Sequence, residues 1–200
     1  MRPRLITKEG QQTHFLIWTL AVLCAILTIA VIIAGIAVFV VYMVYQPKMP
    51  FIRVAYAHLD QLNYDQLGLL EIEITINLEA VNDNNKAHTS FSALMFRLQF
   101  HDIDVAVLKS NSLEVPKNSS RPLNYHFQSL PIPLNQGAME AMDKALRREI
   151  VPFDLKGQAK TRWKVGIFVS VRFWTHISCQ LHFFQSNGST VESGCSSTSH

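Results

Sequence analysis

The chain has 200 residues, 48% of them hydrophobic, with 18 Lys and Arg against 15 Asp and Glu. Setting aside Arg2, Arg4, Lys8, Lys48 and Glu9 leaves 14 of each sign beyond position 50, so the body of the chain lacks the basic footprint that phosphate backbones require, and nucleic acid is excluded as a partner. That length leaves room for one domain of ordinary size beside a membrane-spanning segment.

Residues 1–14 read as a short cytosolic tail. From Phe15 to Tyr45 there is no charged residue, and the only polar side chains are those of Thr19 and Thr28, hydroxyls that can bond back to helix carbonyls. About 20 apolar residues already cross a hydrocarbon core, so the run predicts a transmembrane helix over 15–45, with some tilt. It is roughly twice the length of the apolar stretch of a cleaved signal peptide, which makes it a retained signal-anchor. Trp18 near one end and Tyr42 and Tyr45 near the other suit the headgroup level. Arg2, Arg4 and Lys8 precede the span while Lys48 and Arg53 follow it, a bias that puts the N-terminus in the cytosol and the rest of the chain outside it.

Pro47 and Pro50 cannot continue the helix, so residues 46–52 read as an extended linker. A folded domain is expected over 53–186, followed by a polar, flexible tail over 187–200. Within the domain, Leu70, Ile72, Ile74, Ile76, Leu78 and Ala80 alternate with Glu71, Glu73, Thr75, Asn77 and Glu79, the two-residue repeat of a strand with one face buried. The Asn- and Asp-rich stretch after Val81 predicts a turn, and the run beyond it alternates through Phe91, Ala93 and Met95, which together predict a hairpin. Short runs at Ile103–Leu108, Leu123–Ile132, Phe153–Val165 and Ile167–Phe184 are spaced as in a sandwich. In the last of them Val169, Val171, Phe173, Thr175, Ile177, Cys179, Leu181 and Phe183 share a face. One helix interrupts the strands: Asn135 can cap it, Leu134 stands where a hydrophobic staple would, and Met139, Met142 and Leu146 share a face before Pro152.

Of the three cysteines, Cys24 lies in the span. Cys179 and Cys195 lie where an oxidising compartment permits a bridge; the alternative is a small buried side chain at Cys179 and a free thiol at Cys195. Asn118 and Asn187 each begin an N-glycosylation sequon in a polar stretch. The eight histidines show no metal spacing, and the eight glycines form neither a phosphate loop nor a nucleophile elbow, so no enzyme, metal or cofactor is expected. His101, Asp102 and Asp104 could ligate a cation but read more simply as a polar turn. Lys144, Arg147, Arg148, Lys156, Lys160, Arg162 and Lys164 form the densest basic stretch, either a solvated face or a patch for an anionic surface such as lipid headgroups or acidic polysaccharide.

The basic tail, the single span, the Tyr45-Gln46-Pro47 exit, the strand ending in Val81-Asn82-Asp83-Asn84 and the terminal run from Arg172 to Cys179 together resemble the plant harpin-induced-like and non-race-specific disease resistance-like proteins, whose outer part is a late embryogenesis abundant type 2 domain. The family usually has Asn-Pro-Asn where this chain has Asn82-Asp83-Asn84. The resemblance implies an N-terminal transmembrane helix followed by an immunoglobulin-like or fibronectin III-like β-sandwich at the plant plasma membrane, acting in defence or stress responses with no catalytic element. Two functions are compatible with it: an anchored module that presents loops or a sheet edge to a protein partner, or a lipid-handling sandwich whose sheets part around an acyl chain.

Overall fold

A computed structural model describes residues 9–45, 48–165 and 169–199. Arg2, Arg4 and Lys8 of the basic flank, Gln46 and Pro47 of the exit, and the side chains of Tyr42, Tyr45 and Val169 lie outside the described part. The chain divides after Pro47 into two units. The first is helix α1, Glu9–Tyr45, which starts six residues before the expected position 15. Its segment Ile17–Val40 has a mean hydropathy of 3.0 and is long and apolar enough to cross a bilayer. Side chains such as Leu20, Ile26 and Val31 are more than half exposed, so no protein core covers them. Thr28 donates its hydroxyl to the Cys24 carbonyl at 2.8 Å, which keeps that polar group satisfied without water.

The second unit is a two-layer antiparallel sandwich with one connecting helix, the architecture expected from the strand spacing. The smaller sheet carries β1 (Phe51–Tyr64), β2 (Leu69–Asn82) and β6 (Ser119–Gln128), with the short β7 (Ile132–Pro133) beside β2. The larger runs in the order β10-β9-β8-β3-β4, with β5 beside β3. Its strands are β3 (Ala87–Phe100), β4 (Ile103–Ser110), β5 (Leu113–Val115), β8 (Ile150–Val165), β9 (Val169–Phe184) and β10 (Thr190–Ser199). Leu70, Ile72, Ile74, Ile76, Leu78 and Ala80 of β2 are all at most 1% exposed and face Phe91, Phe96, Phe100, Phe153 and Phe183 of the other sheet. The Phe96 and Tyr125 rings meet edge-on across the layers, 6.1 Å apart. Helix α2 (Gln136–Arg147) is capped as expected: Asn135 Oδ1 accepts from Ala138 N–H at 2.9 Å, and Met142 is fully buried with Met139 and Leu146 partly so.

Four expectations are corrected. β2 and β3 do not form a hairpin; the turn between them carries the chain from one sheet to the other, because the carboxamide of buried Asn82 bonds the carbonyls of Ala87, Val115 and Pro116 and folds the corner over. In β3 the period breaks at Ala93, whose φ of 50° makes a bulge, so Leu94, Phe96, Leu98 and Phe100 point inward and Met95 does not. The supposed linker already contains the start of β1, with Ile52 buried. The supposed flexible tail is β10, paired in register with β9. β10 escapes a hydrophobicity reading because an edge strand is held by backbone bonds and needs no apolar period.

Candidate functional site

The seven clustered basic residues do not form one surface. Lys144, Arg147 and Arg148 sit at the C-terminal turn of α2, beside the start of β8. Lys156, Lys160, Arg162 and Lys164 alternate along the outer face of β8, and at about 3.3 Å per residue Lys164 lies on the order of 45 Å from Ile150. Lys156 is within 3.8 Å of Asp102, so its charge is partly answered. Lys144, Arg147, Arg148 and, through Asp102 between β3 and β4, Lys156 therefore belong to one end of the sandwich, and Arg162 and Lys164 to the other.

At the far end of β8 the structure gathers cations that are distant in sequence. Lys86 and Lys117 join Arg162 and Lys164 around a surface cleft of about 330 Å³, with His88, Ser90 and Glu114 also on its wall. The register sets Lys164 opposite His88 and Ser170, and sets Arg162 directly opposite Arg172, while Arg162 Nε donates to Ser170 Oγ at 2.9 Å. This is also the end where the chain enters the sandwich. Lys48 N–H donates to Asn84 Oδ1 at 3.1 Å, the Asn84 amide donates back to the Lys48 carbonyl, and Asn118 N–H donates to the Asn84 carbonyl at 2.8 Å. Asp83, the position that departs from the family pattern, is exposed, whereas Asn82 and Asn84 on either side are buried. Sequence reasoning does not single out Lys86 and Lys117, because each stands alone in a turn and only strand pairing brings them to β8.

Cys179 and Cys195 are directly opposite each other in the β9–β10 register, with Cα atoms 4.1 Å apart and the sulfurs bonded at 2.08 Å. Asn118 is exposed in the turn before β6, beside Lys117. Asn187 is exposed in the β9–β10 turn at the opposite end, its Oδ1 accepting from Ser189 N–H at 3.0 Å and Ser189 Oγ at 2.8 Å. His101 and Asp102 are the two central residues of the β3–β4 turn, both with positive φ, and Asp104 accepts from Gln99 Nε2 at 2.6 Å. On the outer face of the smaller sheet, His126 Nε2 lies 3.1 Å from Glu73, and Thr75 donates to Asp60 at 2.7 Å, a polar ladder of cross-strand neighbours. Among the described residues no group of His, Cys, Asp and Glu is arranged to hold a metal ion.

The edge of β1 meets the turn before β10, where His58 is bridged to Ser189 and Leu59 N–H donates to the Gly188 carbonyl at 2.9 Å. β4 is the opposite end strand of the larger sheet, with Val107 45% exposed on it.

No protein-family profile matches the chain. Among solved structures it is similar to a protein from Archaeoglobus fulgidus at 12% identity, over 66% of this chain and 97% of that one, with a TM-score of 0.31 that carries no argument. Among curated proteins it is similar to NDR1/HIN1-like protein 12 of Arabidopsis thaliana, at 25% identity over 163 residues, 79% of this chain and 76% of that one, which supports the resemblance read from the residues at a distant level.

Proposed function

We propose that the chain is a non-enzymatic, membrane-anchored interaction protein of plant defence or stress response, held by α1 in the plasma membrane with its sandwich outside the cytosol. The observation that carries this reading is the pairing of an apolar segment, Ile17–Val40, with a packed sandwich in a chain similar to NDR1/HIN1-like protein 12. The basic residues before the span favour a cytosolic N-terminus. The space between the sheets is filled by Phe91, Phe96, Phe100, Phe153 and Phe183, each at most 1% exposed, which favours a packed scaffold over an acyl-chain carrier. The edge of β4 offers unpaired backbone groups for an added strand from a protein partner.

The test is a glycosidase-sensitive mass shift of the expressed chain, with Asn118→Gln and Asn187→Gln separately and together, alongside alkaline carbonate extraction. A shift lost in the double variant, with the protein retained in the carbonate pellet, supports the reading. Protease protection that finds the sandwich on the cytosolic side overturns it.

A further inference from the structure

We propose that the Lys48 end of the sandwich is a docking surface for an anionic bilayer, with Lys86, Lys117, Arg162 and Lys164 receiving the phosphate or carboxylate groups of lipid heads. The inference rests on the reading of α1 as a retained membrane anchor and holds for either orientation of the chain.

Three observations carry it. The first is electrostatic. Arg162 stands directly opposite Arg172 across β8 and β9. Like charges directly opposite in a sheet destabilise it. Lys86 and Lys117 add two further cationic side chains to the cleft wall, which also carries the Glu114 carboxylate. An anion in the cleft, whose volume is about 330 Å³, would offset that repulsion.

The second observation is the path of the chain. Lys48, the first residue of the sandwich unit, is tied to Asn84, and Asn84 in turn is tied to Asn118, so the turns that carry Lys86 and Lys117 share a hydrogen-bond network with the residue that leads back to α1. In sequence, Lys48 follows the apolar run over 15–45 after two residues, Gln46 and Pro47. A surface on so short a tether meets the bilayer at a high effective concentration, so contacts too weak to recruit a free protein suffice. A soluble polysaccharide has no such advantage at this cleft.

The third is apolar. Beyond Thr175, where the pairing with β10 stops, β9 continues with Val171 44% exposed and Trp174 39% exposed. Trp174 shares the outer face with Lys160, its partner in register. An amphipathic aromatic beside cations matches the chemistry of the headgroup layer, which takes ring bodies and cationic groups together.

The experiment uses the full chain in nanodiscs of phosphatidylcholine alone or with phosphatidic acid, reading amide hydrogen exchange over residues 86–90, 114–118 and 160–164. The chain is produced unglycosylated, because a sugar on Asn118 would stand beside Lys117. Slower exchange in the anionic discs is expected, reversed by high salt and weakened about fivefold for each of Lys86→Gln, Lys117→Gln, Arg162→Gln and Lys164→Gln. The triple variant Lys144→Gln/Arg147→Gln/Arg148→Gln, at the other end, should retain the protection. Equal exchange in the two kinds of disc overturns the proposal, as does equal protection by inorganic phosphate in neutral discs, which would mark a site for free anions. A chain that fails to incorporate into either disc refutes the anchor instead, an outcome read separately by co-elution.

Discussion

Replacing Asn82 by Asp changes one amide to a carboxyl of the same shape, and the structure assigns it a large, pH-dependent cost. Asn82 is fully buried, and its amide faces the carbonyls of Ala87, Val115 and Pro116 at 2.9, 3.3 and 3.0 Å. Its Oδ1 accepts from the Asn84 backbone and side chain at 3.2 and 3.1 Å. Asn82→Ala removes these bonds and leaves buried carbonyls unpaired, a loss of about 3 kcal/mol out of a total stability on the order of 5–15 kcal/mol. Asn82→Asp retains the acceptor but turns a carboxylate toward three carbonyls. Burial and those carbonyls raise the folded-state pKa above the ordinary carboxylate range. A group whose folded pKa is raised has its favourable contribution below the unfolded pKa and loses it as pH rises toward the folded value. Asn82→Asp should therefore be destabilised by about 1.4 kcal/mol more for each pH unit over that window, while Asn82→Ala stays parallel to wild type. The assay is urea unfolding of the full chain in detergent, followed by tryptophan fluorescence between pH 4.5 and 7.5. Parallel pH profiles for the two variants would refute the assignment of Asn82 as an amide donor to the corner.

Gly157 lies in β8 with Phe96 and Ile177 as its register partners, and a Cβ there would come within 2.2 Å of the Phe96 ring and 2.6 Å of Ile177 Cγ2. Gly157→Ala should cost about 2 kcal/mol through overpacking, seen as a lower unfolding midpoint; an unchanged midpoint would mean that the sheet relaxes freely. The Cys179–Cys195 bond closes a loop with a sequence separation of 16, which predicts a loss of about 3 kcal/mol on reduction or on Cys195→Ser. Hydrogen exchange should report that loss first in β10. The Ser120 hydroxyl and then the Arg53 guanidinium hold the Glu79 carboxyl below its ordinary pKa. A depressed folded pKa gives stability that is present above the unfolded value and lost as pH falls through the folded one. Glu79→Gln should thus flatten the acid limb of the stability profile by less than about 1 kcal/mol, the scale of a surface ion pair.

Much of the fold is legible wherever burial imposes a period. β2 can be placed from the residues alone because one face is dry along its whole length, so each inward position has to be apolar. Helix α2 is legible from Asn135 and its methionine face because a cap and a 3.6-residue stripe are local signals. β1 escapes such a reading because register shifts after Val54 and Leu59 break its alternation. The candidate site is half legible: Arg162 and Lys164 stand in a visible basic run, whereas Lys86 and Lys117 are isolated in turns and carry no pattern at all.

Composition and local periodicity, both properties of the sequence by itself, determined an apolar segment long enough to cross a bilayer, a β-rich body, one capped helix, and two cysteines and two sequons in the part beyond the span. Only the tertiary structure decided which strands share a sheet, that the last residues pair instead of fraying, and that the basic residues separate to opposite ends while two distant lysines join one of them. The physical reason is that strand pairing is a long-range backbone interaction to which side-chain identity contributes weakly, so residues 86, 117 and 162 become neighbours through register and not through any signal in their own segments.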